Sequence, residues 1–271
     1  MKKPEIRYDY QPRHSRAEQL KALGEILDTL DILRVECPWD AKQTNESLRP
    51  NTIEETYELA QALLEGSNDE IRKELGDVLL HVLFYSRIGD EKGAFDIADV
   101  ANALNQKLIF RHPHVFGEIK VGDAHEVEQN WEQIKLKEKD GNKSILSGVP
   151  KALPALVKAF RIQEKAANAG FDWDKPEDVW AKVSEELDEV RDAISRGDVT
   201  DIEGEIGDLI FSVINAARLY KVNPENALER TNRKFIQRFN YIEEAAKKQG
   251  VSLKDMTLAE MEALWQEAKT K

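Results

Sequence analysis

The sequence has almost no cysteine and no long apolar run. Cys37 is the only cysteine among 271 residues, so no disulfide can form within the chain, which fits a reducing cytoplasm. No apolar stretch reaches the ~18 residues that a membrane-spanning helix needs. The polar N-terminal segment has no apolar core of a signal peptide. We therefore expect a cytoplasmic protein that has no membrane partner.

Positive charge is also scarce. The chain has 39 Lys and Arg against 51 Asp and Glu, which gives a formal net charge of −12. Nucleic-acid binding needs clustered Lys and Arg to neutralise phosphates, so a nucleic-acid partner is not expected. The glycine-rich motifs of the common nucleotide-binding folds are missing as well. An excess of carboxylates is compatible with a divalent-cation site.

The sequence contains an internal repeat. The segment IEETYELAQAL from Ile53 resembles SEELDEVRDAI from Ser184, and ELGDVLLHVLF from Glu74 resembles EIGDLIFSVIN from Glu205, both at an offset of 131. The segment NQKLIFR from Asn105 is followed in the same order by NRKFIQR from Asn232. An unchanged offset across an intervening turn indicates that a whole helical hairpin is duplicated.

The periodicity predicts helices almost throughout. Apolar residues recur three and four apart, as in Leu20, Leu23, Ile26 and Leu27, and no strand of useful length alternates. Gly, Asn, Ser and Pro cluster at residues 140–149, which is typical of a linker. We therefore predict an all-α fold of tandem helical-hairpin modules, at 15–139 and 150–271, with a bundle that forms on dimerisation.

Each copy places acidic pairs on consecutive helices. Glu186 and Glu189 are three residues apart and share a helix face, as do Glu205 and Asp208 on the next helix. A short turn makes these helices antiparallel neighbours, so the four carboxylates are predicted to converge. Four such charges repel each other strongly unless a cation lies among them. The first copy has the same set: Glu55, Glu58, Glu74 and Asp77.

An ordinary solvated face is the alternative interpretation of these acids. Glu205 and Asp208 are followed at once by an apolar run, so we expect them to be partly buried and to need a partner or a metal. For Glu185 a purely solvated position is an equally good interpretation.

Basic residues recur as well. Lys234 and Arg238 are four apart on one helix face, and Lys107 and Arg111 repeat that pair in the first copy. They could neutralise a triphosphate or form an ordinary solvated edge. A Trp near the end of each copy, Trp131 or Trp265, packs in the core or stacks on a base.

The combined motifs resemble the MazG family of bacterial nucleoside triphosphate pyrophosphohydrolases. The likeness runs from about Leu20 to Lys269 and includes CPWD, EELDEV, EIGDLIF and KFIQRF. It implies two tandem MazG modules, homodimerisation, and Mg²⁺-dependent hydrolysis of NTPs and dNTPs to NMP and pyrophosphate, with Mn²⁺ as a substitute. Nucleotide-pool housekeeping or a stress-related role would follow, and no regulatory protein partner is identified.

The resemblance also implies site residues. Carried over by motif, the metal ligands are Glu186, Glu189, Glu205 and Asp208, and nucleotide contacts come from Lys182, Glu185, Glu186, Lys234, Arg238 and Trp265. The second module is expected to be the main catalytic one. A second possible site comprises Glu55, Glu58, Glu74, Asp77, Lys107 and Arg111.

The expected reaction is attack of water at the α-phosphorus. Glu185 or a metal ligand would orient or deprotonate the water, while Lys234 and Arg238 stabilise the developing charge. Two other interpretations stay open. One is a helical interaction protein whose acidic motifs are relics. The other is a related all-α pyrophosphatase that acts on dUTP, dUDP or phosphoribosyl-ATP.

Overall fold

The chain forms two compact units in the computed structural model, Met1–Val127 and Glu128–Lys271. The structure describes residues 9–117, 119, 121–123, 127, 134 and 144–270. Within these residues the regular structure is entirely helical, which confirms the predicted all-α fold. No helix in this part of the chain is long and apolar enough to cross a membrane. The predicted linker is described only from residue 144 onward.

The first unit is built on five α-helices among the described residues. They are α1 (Arg16–Glu36), α2 (Asn45–Glu65), α3 (Asn68–Glu91), α4 (Ile97–Arg111) and α5 (Pro113–Phe116), with a 3₁₀ turn at Asp40–Lys42. Large apolar side chains from α1, α2 and α3 form its core: Leu30, Leu48, Leu83, Phe84 and Ile88. Full burial of such a side chain contributes roughly 1.5–3 kcal/mol, so this core holds the α2–α3 hairpin against α1.

An ion pair fixes the end of α1 to the end of α3. The Arg34 guanidinium donates to both carboxylate oxygens of Glu91, from Nε at 2.8 Å and from Nη2 at 2.9 Å. Arg34 is largely buried there. The paired geometry is the strong, bidentate form of this interaction. The hydrogen bond from Arg34 lowers the pKa of Glu91.

The second unit repeats the hairpin between additional helices. Its described elements are 3₁₀ turns at Leu146–Gly148, Pro176–Asp178 and Leu253–Asp255, and α6 (Ala155–Asn168), α7 (Val179–Arg196), α8 (Val199–Leu219), α9 (Pro224–Gln249) and α10 (Leu258–Ala268). Within its described residues the buried apolar side chains are those of Val, Ile and Ala: Val179, Val190, Ala193, Ile214, Ala216, Ile242 and Ala246. The described core of the second unit therefore has smaller side chains than that of the first, which contains Leu and Phe.

The two hairpins turn in the same way. Gly66 ends α2 with a left-handed φ of 75°, and Gly197 ends α7 with a φ of 78°. Glycine adopts this conformation at the lowest cost, so it is the usual residue for ending a helix. Ser67 and Asp198 follow and accept hydrogen bonds from backbone N–H groups of α3 and α8. These turns align the acidic positions of paired helices.

Candidate metal centre

Three carboxylates of the second unit converge between α7 and α8. Glu186 of α7 and Glu205 and Asp208 of α8 each offer an oxygen, and these oxygens lie within 4.8 Å of one another. Since Glu205 and Asp208 are three residues apart, both face α7. This set, called here the second cluster, contains three of the four acids that the sequence predicts to converge.

Burial within the second cluster is unequal. Glu186 is only 6% exposed, and its Oε2 has no hydrogen-bond partner among the described residues. Glu205 is half-buried, as predicted, whereas Asp208 is exposed. The prediction for Asp208 was wrong because the apolar residues after it, such as Ile210 and Val213, are themselves largely exposed.

Lys182 binds two acids of α7. Its Nζ lies 2.7 Å from Glu186 Oε1 and 2.9 Å from Glu185 Oε1. The hydrogen bonds to Glu186 and then to Glu185 raise the pKa of Lys182. The ammonium group has three N–H donors, so one remains for a further acceptor. The structure thus places Lys182 at the edge of the second cluster, one helical turn before Glu186.

Glu189 and Glu185 flank the cluster. Glu189 is exposed and lies outside the set of oxygens within 4.8 Å. Desolvation, followed by the negative charge of Glu186, raises the pKa of Glu189, so this carboxylate is electrostatically close to the cluster. Glu185 is exposed and paired with Lys182, a position at the surface that leaves both interpretations of this residue open.

The other predicted cations of the second unit lie on α9. The Arg238 guanidinium carbon is 5.4 Å from the ring centre of Trp265, a cation–π contact. The Trp265 ring also lies 5.1 Å from the ring of Phe235. Lys234 is exposed. Within the described residues no hydrogen bond or ion pair joins Lys234 or Arg238 to the second cluster, so their contact with a nucleotide stays a prediction.

The first unit has a matching cluster of three acids between α2 and α3. Oxygens of Glu55, Glu58 and Glu74 lie within 4.8 Å of one another. Asp77 is half-buried and lies outside this set. Burial, followed by the charge of Asp77, raises the pKa of Glu55. This set is called here the first cluster, and each cluster thus brings together three of its four predicted acids.

The two clusters bury different carboxylates. In the first, Glu74 is 4% exposed with Oε2 unpartnered, and Lys73 Nζ lies 2.9 Å from its other oxygen. At the offset of 131, Glu74 corresponds to Glu205 and Lys73 to Gly204, while Lys182 corresponds to Asn51. Each cluster therefore has a lysine that the other lacks. Sequence reasoning missed Lys73, although its position beside Glu74 was visible.

The remaining residues of the second possible site are partly described. Lys107 is exposed on α4, and Arg111 is half-buried at its end. Trp131 lies outside the described residues.

A polar network extends the first cluster by one turn. Thr52 Oγ1 lies 3.1 Å from Nδ1 of the buried His81 and 2.6 Å from the Tyr85 hydroxyl. Burial lowers the pKa of His81, while Asp77 opposes that shift. Thr52 is three residues before Glu55, and His81 is four after Asp77, a spacing that could have revealed the network. The second unit has nonpolar or smaller residues at these positions: Val183, Ser212 and Ala216.

The second cluster fits a hard divalent cation. Such cations prefer carboxylate oxygens, and a carboxylate oxygen buried without a partner is costly. Glu186 Oε2 is such an atom, and Glu205 and Asp208 bring two further carboxylates next to it. A cation among the three would compensate both the desolvation of Glu186 and the repulsion between the acids.

Comparison with known proteins identifies the family. The model of the MazG nucleotide pyrophosphohydrolase domain matches residues 43–116 and 174–242, together more than half of the chain, and each match contains one cluster. The chain belongs to the MazG nucleotide pyrophosphohydrolase family. This confirms the resemblance and the two tandem modules, and makes the chain an enzyme, a hydrolase of nucleotide phosphoanhydride bonds.

Curated MazG relatives cover nearly the whole chain. The nucleoside triphosphate pyrophosphohydrolase/pyrophosphatase MazG of Thermotoga maritima is 45% identical over 90% of this chain and 94% of its own length. The nucleoside triphosphate pyrophosphohydrolase of Escherichia coli strain K12 is 41% identical over 93% of this chain and 97% of its own. The uncharacterized protein YabN of Bacillus subtilis is 50% identical, but the match spans 48% of its length.

Proposed function

We propose that this chain hydrolyses ribo- and deoxyribonucleoside triphosphates to the monophosphate and pyrophosphate, with Mg²⁺ held by the second cluster. Mn²⁺ would substitute for Mg²⁺ at the same oxygens. The names of the Thermotoga and Escherichia relatives support the substrate class. The observation that carries the proposal is the buried, unpartnered Oε2 of Glu186 beside Glu205 and Asp208.

The ligands of the cation would be Glu186, Glu205 and Asp208, and we propose that Glu189, which lies outside this set in the structure, completes it when the cation is bound. A cation bound there would draw charge from the triphosphate and make a bound water more acidic. Mg²⁺ binds few carboxylates and keeps positions open for phosphate and water. A cluster of three acids, two of them accessible, agrees with that coordination.

Residues at the rim would act on the substrate. We propose that the third N–H of Lys182 donates to a phosphate oxygen, because its other two donors bind Glu185 and Glu186. Glu185, or a carboxylate of the cluster, would accept the proton of the attacking water. Lys234 and Arg238 would stabilise charge on the departing pyrophosphate, and Trp265 would contact the nucleotide.

The second module is proposed to be the main catalytic one. Its lysine is aligned with Glu186 from the preceding turn of the same helix, whereas Asn51 at the equivalent place in the first module offers no charge. In the first module Lys73 binds Glu74, an acid of the first cluster itself. Asp188 in place of Tyr57 further increases the negative charge around the second cluster.

A homodimer is proposed from the exposed apolar residues of both hairpins. Leucine, isoleucine and valine recur four and three residues apart along α3 and α8, at equivalent positions, and are 37–53% exposed: Leu75, Leu79 and Val82, and Ile206, Ile210 and Val213. Such stripes are typical of helices that pack against further helices. The proposal places the enzyme in the cytoplasm and gives it no nucleic-acid or membrane partner.

A product assay tests the proposed reaction. Common ribo- and deoxyribonucleoside triphosphates are incubated with Mg²⁺ or with a chelator, and pyrophosphate and orthophosphate are counted separately. In water labelled with oxygen-18, attack at the α-phosphorus places the labelled oxygen in the monophosphate. Release of orthophosphate, label in pyrophosphate, or equal rates in chelator would contradict the proposal. Glu205→Gln should abolish turnover, and the exposed Glu203→Gln on the same helix is the matched control.

A further inference from the structure

The second unit contains a cavity of about 530 Å³ that the proposed reaction does not yet use. It lies between α6, α8 and the segment that joins α6 to the next 3₁₀ turn. Aromatic rings of Trp173 and Phe211 contribute to its walls, and Gln163, Asp172, Asn215 and Arg218 add polar groups. Its size and its mostly apolar lining are typical of sites for small organic ligands.

Gln163 contributes a buried acceptor atom to this cavity. The residue is 6% exposed, and its Nε2 donates a hydrogen bond to the Phe211 carbonyl oxygen at 2.8 Å. That bond fixes the amide and leaves Oε1 as a buried acceptor with no hydrogen-bond partner among the described residues. A buried acceptor of this kind is costly when unpaired. A ligand that offers an N–H group would satisfy it.

The charges of the cavity are already neutralised. Arg218 donates to both carboxylate oxygens of Asp172 and, through Nε at 3.0 Å, to Asn215 Oδ1. Asp172 is therefore held as a carboxylate, and the charge of Arg218 is balanced. A phosphate would find no free cation in this arrangement. The cavity thus fits an uncharged, planar ligand with polar edges better than it fits an anion.

The cavity begins one helical turn after the second cluster. Asp208, Phe211, Asn215 and Arg218 follow one another at three, four and three residues, so they form a stripe on one side of α8. From Asp208 to Asn215 the helix rises about 10 Å. A nucleotide whose phosphates bind at Asp208 would therefore place its base beside Phe211 and Asn215.

In the first unit a large core side chain stands at the equivalent place. At the offset of 131, Asn215 corresponds to Phe84, which is 2% exposed and packs in the core with Leu30. In the aligned segments DWD and PWD, Pro38 stands where Asp172 pairs with Arg218. Phe84 thus occupies the position of Asn215, and Pro38 has no carboxylate that could form the ion pair lining the cavity.

We propose that this cavity receives the nucleobase of the substrate and that Gln163 Oε1 accepts a hydrogen bond from an N–H group on the base. The inference rests on the proposed pyrophosphohydrolase function and adds a base-recognition site in the second module. The rings of Trp173 and Phe211 supply flat, apolar contacts to the base. Adenine, cytosine, guanine and uracil all carry an N–H group on the pairing edge, so Gln163 can bind each of them.

Three substrates separate the contributions of the base. ATP has both the base and its N–H donors. Purine riboside triphosphate keeps the ring but lacks the amino group, and ribose 5-triphosphate lacks the base. For the wild-type enzyme we expect kcat/KM to fall in that order, by about tenfold for the amino group alone. Pyrophosphate release is measured for all three under saturating Mg²⁺.

Two variants test the residues. Gln163→Met keeps the side-chain length but removes the acceptor. It should therefore raise KM for ATP and give ATP and purine riboside triphosphate the same kcat/KM. Asn215→Phe introduces the residue of the first module and should lower kcat/KM for ATP to nearly the value for ribose 5-triphosphate. Gln249→Met, at the exposed end of α9, is the matched control and should change neither ratio. Thermal unfolding shows whether each variant is folded. If Asn215→Phe is not folded, Gln163→Met alone still tests the inference.

The outcomes separate this inference from the reaction itself. If wild-type enzyme cleaves ribose 5-triphosphate as efficiently as ATP, the cavity does not bind the base, although the proposed hydrolysis stands. If Gln163→Met retains the wild-type preference for ATP over purine riboside triphosphate, the role of Gln163 is wrong. If the enzyme releases pyrophosphate from none of the three substrates, the proposed function itself is refuted.

Discussion

Removal of one acid from the second cluster should stabilise the protein while it abolishes activity. Glu205 is half-buried, and its carboxylate lies within 4.8 Å of those of Glu186 and Asp208. The isosteric change Glu205→Gln deletes one charge and keeps the shape of the side chain. It therefore removes the repulsion between this carboxylate and its two neighbours, which destabilises the protein when no metal is bound. It also removes a proposed ligand of the cation.

The distances set the size of this effect. Two unit charges 4.8 Å apart repel by about 1 kcal/mol in water and about 3.5 kcal/mol at an effective dielectric constant of 20. Glu205 is partly exposed, so the lower part of this range applies, and Lys182 offsets part of the charge on Glu186. We expect Glu205→Gln to raise the free energy of unfolding by about 2 kcal/mol, or the melting temperature by about 4–8 °C.

Thermal unfolding in chelator and in Mg²⁺ measures both consequences. In chelator the variant should melt above the wild type, and the difference should shrink in about 1 M salt, where the Debye length is about 3 Å. Mg²⁺ should raise the melting temperature of the wild type more than that of the variant, which has lost a proposed ligand of the cation. Glu203→Gln, exposed and outside the cluster, is the control. A variant that melts below the wild type in chelator, or responds equally to Mg²⁺, would refute this reasoning.

Three further predictions concern the modules, the assembly and the α1–α3 contact. The double variant Glu58→Gln plus Asp77→Asn removes two acids of the first module, and Glu189→Gln plus Asp208→Asn removes the equivalent acids of the second. The first double variant should lower the rate of pyrophosphate release from ATP and dGTP much less than the second. Equal losses would mean that both modules work. Light scattering should give about twice the chain mass of 30.9 kDa, and a monomer would exclude the proposed dimer. Because Arg34 lowers the pKa of Glu91, their contribution to stability should be present at neutral pH and be lost as the pH falls through the folded-state pKa of Glu91. Arg34→Met should thus destabilise less in acid than at pH 7, and an equal effect at both pH values would contradict this.

The hairpins and the positions of the acids could be predicted because they follow from local spacing. Acids three residues apart share a helix face whatever surrounds them. The repeat at an offset of 131 then specified equivalent sites in both units, and the structure brings three acids together in each. The all-α fold follows from the same periodicity.

Burial and counter-ions could not be predicted in this way. The two modules have the same four acids in sequence, yet the first cluster includes Glu58 and the second Asp208. The buried acid also differs, Glu186 in one and Glu74 in the other, each next to its own lysine. The difference depends on which side chains approach from neighbouring turns and helices. The cavity beside Gln163 likewise is lined by residues from several elements of the second unit, which no single segment reveals.

The central claim is that Glu186, Glu205 and Asp208 hold a divalent cation that the nucleotide contacts. Electron paramagnetic resonance of Mn²⁺ measures this directly, with a non-hydrolysable triphosphate analogue present. The account predicts a bound Mn²⁺ in the wild type and in a variant that lacks the first cluster, with a spectrum that changes when the analogue is added. When Glu186→Gln or Asp208→Asn is made in the variant that lacks the first cluster, that signal should be lost. Mn²⁺ bound equally well by these two variants would contradict the account.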